Sequence, residues 1–132
     1  MKLKKMVYLA NPYSSKLKNK DLAAYQCANR RNLEALAGGT LRKKYKGYCF
    51  LLPIANSAAM ADLCTFDTGF GEWVGDDLTF ISNCDEVWVL TSPGWKESIG
   101  VQAEIAFAES LDGMRVRYVN SKTFKLTNRP SE

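Results

Sequence analysis

The chain has 132 residues, 46% of them hydrophobic and 24% charged, with a formal net charge of +4. That size and balance fit one globular domain, residues 1–132, with a core that needs no staples. There is no histidine, and Cys27, Cys49, Cys64 and Cys84 lie far apart with no CxxC pair, which argues against structural zinc and for reduced thiols in a cytoplasmic protein.

The opening MKLKKMVYLANP sets lysines before an apolar run of five residues, short of the roughly 7–15 of a signal-peptide core. No stretch approaches the ~18 apolar residues of a membrane span. MVYLAN (6–11) reads instead as a buried strand ended by Pro12. After a polar loop, DLAAYQCANRRNLEALAGG predicts a helix with Leu22, Tyr25, Ala28, Leu33 and Leu36 along one side and the paired glycines 38–39 as its stop. GYCFLLPIA (47–55) reads as a second buried strand ended by Pro53, and residues 56–70 as a loop with one helical turn.

EWVGDDLTFISNC (72–84) predicts a helix carrying Trp73, Leu78, Phe80 and Ile81 on one side. DEVWVLTS (85–92) is the clearest strand, PGWKE (93–97) a turn, and residues 100–111 a helix. RVRYVN (115–120) is a fourth strand, and the tail 121–132 has room for a short edge strand before it frays. Strands that are apolar on both faces and alternate with helices imply a parallel sheet of four to five strands covered on two sides. The expected fold is therefore a small α/β, Rossmann-like (flavodoxin-like) three-layer domain.

In such sheets ligands sit beyond the carboxyl ends of the strands. Three loops fall there: Asn11–Lys16, Ala55–Ser57 and Ser92–Gly100. Neither GxGxxG nor GxxxxGK[ST] occurs in the chain, which argues against dinucleotide-fold and P-loop chemistry. Ser98 and Gly100 open the helix after the third strand, as a cap or as an anion site on free backbone N–H groups. Glu104 and Asp77 read either as partners of helix dipoles or as a pair of carboxylates dividing nucleophile and acid roles, as in retaining glycosidases. A glutamate near its ordinary pKa of about 4.3 is ionised at neutral pH, as a nucleophile must be. Trp95 and Trp73 read as stacking partners for a base or as packing at the sheet edge. The lysines at 2–5, 16–20 and 42–46 read as solvated surface or an anion-attracting patch; the lack of interleaved aromatics argues against a nucleic-acid partner.

At these residues the chain resembles the nucleoside 2-deoxyribosyltransferase superfamily, and most closely a phage and bacterial family of that fold. The matching pieces are VYLANPYS (7–14), LLPIANS (51–57), W…DDL (73–78), CDEVWVLTSPGWKESIGVQAEIAFA (84–108) and RVRYV (115–119). The resemblance implies that Glu104 attacks the anomeric carbon, that Asp77 assists at the base or sugar, and that Tyr8 positions the glutamate. Ser98, six residues before the glutamate, is similar to the serine of 2′-deoxynucleoside 5′-monophosphate N-hydrolases, where transferases acting on free nucleosides carry aspartate. Asn11, Tyr13, Ser14, Ser98, Gly100 and Trp95 are then the candidate substrate-binding residues. The arginine-bearing, glycine-rich phosphate loop of those hydrolases is replaced by NPYSS, leaving Ser14, Ser15, Lys96 and Arg30 or Arg31 as substitutes.

The expected activity is cleavage of the N-glycosidic bond of a nucleoside or nucleoside 5′-monophosphate through a covalent glycosyl-enzyme. Base exchange and a non-catalytic nucleotide-binding or sensing role are the alternatives. The resemblance implies a homodimer or higher homo-oligomer, no metal, no organic cofactor and no membrane partner.

Overall fold

The computed structural model describes residues 2–64 and 70–130. In chain order the elements are β1 (Lys5–Ala10), α1 (Lys20–Lys44), β2 (Tyr48–Leu51), α2 (Pro53–Cys64), α3 (Phe70–Ser82), β3 (Glu86–Thr91), α4 (Ile99–Glu109), β4 (Arg115–Asn120) and β5 (Leu126–Thr127). They form one five-stranded sheet in the order β2-β1-β3-β4-β5. The first four strands run parallel and β5 lies antiparallel on β4. This is the expected α/β three-layer architecture, with the reversal of strand order between β1 and β3.

Successive residues of a strand point to opposite faces, and both faces here are apolar. Tyr8, Ala10, Val87 and Val89 pack with Ile81 of α3 and with Val101, Ile105 and Ala108 of α4. Val7, Leu9, Trp88, Leu90 and Val119 pack with Ala37 and Leu41 of α1. Trp88 is fully buried among Tyr45, Tyr48 and Phe50, at ring distances of 5.1–5.3 Å. Its indole N–H donates to Glu86 Oε1 at 2.9 Å, and the Arg117 guanidinium stands 3.8 Å from the same oxygen. A buried indole nitrogen needs such an acceptor, and the carboxylate needs the cation.

Several expectations are corrected. The glycine pair does not stop α1, which runs on to Lys44. Helices end where the backbone leaves αR, and here that is Tyr45 before Gly47, after a basic last turn, Arg42–Lys44, that suits the negative end of the dipole. Gly38 is instead a contact point: a Cβ there would lie 2.8 Å from Leu52 Cδ2. The buried side of α1 is also not the one expected. Glu34, Ala37, Gly38 and Leu41 face inward, whereas Leu22, Tyr25 and Leu36 are 57%, 68% and 59% exposed.

The second strand stops at Leu51, and Pro53 begins a helix rather than ending a strand. Proline suits a first helical position because its fixed φ is helical and that N–H has no intrahelical partner anyway. Ala55–Ser57 is thus the first turn of α2, and the expected loop 56–70 is helical up to Cys64; its residues 65–69 lie outside the described residues. The short edge strand expected in the tail is β5, paired with β4. Asn120 Oδ1 accepts from the backbone N–H of Lys122 and Thr123, and Phe124 and Leu126 pack on the sheet. No helix among the described residues is long and apolar enough to cross a membrane, and none of the four cysteines is in a disulfide.

The two glycines should separate in a stability assay. Gly39 has open space around its Cα, so Gly39→Ala should stabilise by about 0.5–1 kcal/mol through helix propensity. Gly38→Leu should destabilise by about 1–3 kcal/mol by overpacking against Leu52. Urea unfolding of the two variants checks both signs.

Candidate active site

The carboxyl ends of β1 and β3 open onto a cavity of about 600 Å3. Its floor is set by β1. Tyr8 points to the α3/α4 face and its hydroxyl donates to Glu104 Oε2 in a buried hydrogen bond. Asp77 on α3 lines the same cavity and is close enough for its carboxyl to be lowered by the Tyr8 hydroxyl. Glu104 is only 5% exposed. It is the sixth residue of α4, beyond the first turn, and Asp77 is the eighth of α3. Helix-dipole attraction falls off within the first turn, so it accounts for neither acid.

Glu104 is buried and Asp77 half-buried. Burial pushes the Glu104 carboxyl up to about 8, with the Asp77 charge adding to the effect and the Tyr8 hydrogen bond opposing it. Burial and the neighbouring Asp76 push Asp77 up to about 6. Burial beside Glu104 and Asp77 also raises the Tyr8 phenol well above its ordinary value. Glu104 therefore does not keep the ordinary pKa expected of it: burial raises its carboxyl, so it holds a proton to higher pH than an exposed glutamate does.

The opposite wall is cationic and rich in donors. Ser98 caps α4, its hydroxyl accepting from the Val101 N–H at 3.2 Å. The hydroxyl hydrogen is still free to donate into the cavity, which Ser98 and Gly100 both line. Arg30 reaches the cavity from α1. Its Nη1 donates to the carbonyls of Ser14 at 2.8 Å and Tyr13 at 3.4 Å. Gly94, at φ +90°, lets the β3–α4 loop pass close to the Arg30 guanidinium; a Cβ there would lie 3.1 Å from Nη2.

Asn11 is a brace as well as a lining residue. Its Nδ2 donates to the Arg30 carbonyl at 3.0 Å and its Oδ1 accepts from Ser92 Oγ at 2.8 Å, joining the ends of β1 and β3 to α1. Tyr13 and Ser14 line the cavity beside it. Trp95 does not: its ring packs on Tyr118 at 5.8 Å, with the Lys96 ammonium over it, outside the cavity. The Gln102 Nε2 bond to the Trp95 carbonyl holds the loop in that position. Trp73, by contrast, is buried and lines the cavity.

Sequence reasoning missed Glu34, fully buried on α1, and the part that Pro53 and Ile54 of α2 play in the cavity wall; Ser57, within the expected segment Ala55–Ser57, does line it. The available signal for Glu34 was its place at i, i+3, i+4 and i+7 with Ala37, Gly38 and Leu41, a core spacing. Among the described residues, no cluster of three or more His, Cys, Asp or Glu side chains has the arrangement to hold a metal ion.

Fold and site together define an α/β protein whose strand ends carry a buried tyrosine–dicarboxylate cluster facing a donor-rich wall. The chain belongs to the DUF1937 family, a domain of unknown function, whose sequence model matches residues 5–120. That span runs from the start of β1 to the end of β4 and includes every cavity residue named above. No curated protein matches the chain.

The raised carboxyls make stability depend on pH. Glu104, Asp77 and Glu34 have ordinary values of 4.5, 3.8 and 4.5 and folded values of about 8, 6 and 7. Between the two sets the folded chain holds protons that the unfolded chain has released. Stability must then fall as pH rises through that interval. Urea unfolding should show a more stable protein at pH 5 than at pH 8.5. Glu104→Gln should flatten the slope and exceed wild type at pH 8.5, by on the order of a few kcal/mol.

Proposed function

We propose that the protein cleaves the N-glycosidic bond of a nucleoside 5′-monophosphate, with Glu104 as nucleophile and Asp77 as acid. The observation that carries this reading is the buried Tyr8–Glu104–Asp77 cluster at the strand ends. Two carboxyls on one cavity, both raised, can divide nucleophile and acid roles in glycoside cleavage when the proton they share rests on Asp77. The resemblance of the chain to nucleoside 2-deoxyribosyltransferases, through the segments 73–78 and 84–108, points to the same pair.

The chemistry follows from where the proton resides. Near neutral pH the pair holds one proton. With it on Glu104 the site is idle; with it on Asp77 both groups are ready. The Glu104 carboxylate attacks C1′ while the C1′–N bond breaks, through an oxocarbenium-like transition state. Asp77 gives its proton to the departing base. A water molecule then attacks C1′ of the glycosyl ester, Asp77 takes up the water proton, and the Glu104 carboxylate is released. The Tyr8 hydroxyl holds the Glu104 oxygen in place throughout. The Arg30 guanidinium, Ser98 and the N-terminus of α4 meet the 5′-phosphate. A hydroxyl and a cation favour that anion, where an aspartate at 98 would repel it.

Incubation with a panel of deoxynucleosides and their 5′-monophosphates should release free base. Glu104→Ala and Glu104→Gln should each lower that release by roughly 10^3-fold or more. A 2′-fluoro substrate analogue should leave one sugar mass on the peptide containing Glu104; label elsewhere, or inversion at C1′, would refute the covalent route. For wild type, kcat/KM should peak between pH values of about 6 and 8 and fall on both sides, because the singly protonated pair exists only there.

The phosphate contact has its own measurement. Arg30→Gln should lower kcat/KM for a monophosphate roughly tenfold to a hundredfold and leave the matching nucleoside within a few-fold. An unchanged ratio would remove Arg30 from the site.

A further inference from the structure

Glu34 lies outside the catalytic cluster, yet it organises one wall of the cavity. α2 starts at Pro53, which has no N–H, and the residue before it is Leu52, whose side chain offers no acceptor. The usual cap, a Ser, Thr, Asp or Asn side chain at that position, is therefore missing. Glu34 supplies it from another helix. Its Oε2 accepts from the Ile54 N–H and its Oε1 from the Ala55 N–H, both at 3.0 Å. The next N–H, of Asn56, is already taken by the Leu52 carbonyl at 3.0 Å. One carboxylate thus satisfies both open donors of the turn and faces the positive end of the α2 dipole. Gly38, one turn further along α1, lets Leu52 seat against the same helix. The residues held in this way include Pro53, Ile54 and Ser57, which line the cavity.

We propose that Glu34 is a positioning residue: its carboxylate latches the first turn of α2 to α1, sets the place of the Pro53–Ser57 wall, and loosens that wall when it takes a proton. The latch stands on geometry alone; its effect on turnover rests on the N-glycosidase reading. Several groups act on the latch. Asp77 of α3 raises the Glu34 carboxyl, Arg31 of α1 lowers it, and the two backbone bonds lower it, against a larger rise from burial that takes it up to about 7. Its charge in turn is felt by Glu104 of α4, Tyr8 of β1 and Tyr13 of the β1–α1 loop, each of which it raises. The wall therefore changes its hold within the pH range in which the Glu104–Asp77 pair redistributes its proton.

Nuclear magnetic resonance of the full chain tests this without a ligand. In wild type the amide protons of Ile54 and Ala55 should shift together between pH 5.5 and 8.5 with one midpoint near 7, since an N–H bonded to a carboxylate reports its charge. In Glu34→Gln that common titration should vanish. The hydrogen exchange of the two amides, corrected for pH, should quicken roughly tenfold or more, as expected for loss of a hydrogen bond to a charged group. The Glu104 carboxyl midpoint should fall in the same variant, a readout that a merely structural role would not move. Amides that do not titrate together in wild type would overturn the proposal, as would unchanged exchange in Glu34→Gln. If Glu34→Gln fails to fold, the wild-type titration decides alone. A deoxynucleoside 5′-monophosphate assay separates the two readings. Titrating amides without base release keep the latch and reject the glycosidase, and base release without titrating amides does the reverse.

Discussion

The hydrogen bond from Tyr8 to Glu104 is the constraint on which the site depends. It joins the inner strand β1 to α4 across the core, and it does so with two groups that a core ordinarily excludes. A buried carboxyl without a cation is tolerable only if it is protonated or well supplied with donors. Here one phenol serves Glu104 and stands beside Asp77 as well. The acids therefore keep protons at pH values where exposed carboxyls have lost them. This arrangement costs stability. Sites that hold ionisable groups away from their ordinary pKa values are common where chemistry is done.

The cations of the cavity are placed away from these acids. Arg30 spends one guanidinium nitrogen on the carbonyls of Tyr13 and Ser14, and the α4 N-terminus is capped by Ser98. Neither is paired with Glu104 or Asp77 in the structure. Had Arg30 bridged to Glu104, the carboxyl would be held low and the guanidinium would be unavailable to a ligand. Arg30 and the acids thus line one cavity without pairing, and the Asn11 brace ties the ends of β1 and β3 to α1 beside them. A ligand with an anionic end and a bond that breaks with acid help fits this arrangement.

The second buried acid, Glu34, obeys the same physics with a different outcome. It too is pushed up by burial, but it has two backbone donors where Glu104 has a phenol. Those donors belong to a helix that begins with proline and has leucine in the capping position. The oversight in the linear reading has the same origin. A helix lacking a local cap signal looks like a loop, and its cap lies some twenty residues earlier, on α1.

The sequence by itself determined the layers of this protein and the residues at the mouth of its sheet. Apolar runs within 6–11 and 85–92 and the alternating RVRYVN at 115–120 read as strands of a covered parallel sheet, and the strand-end rule then named the loops holding Tyr13, Ser14 and Ser98. Glu104 and Asp77 were also legible, through the spacing around them and the resemblance it carried. Only the tertiary structure decided what those residues are. Whether Glu104 is charged depends on its burial against Tyr8, not on its own pKa. Whether a tryptophan lines the cavity depends on packing: Trp95 turns to Tyr118 while Trp73 faces inward. Whether Gly38–Gly39 ends a helix depends on Leu52, which needs the close approach that glycine allows. In each case the deciding partner is distant in the chain or buried by distant elements, and local propensity carries no information about it.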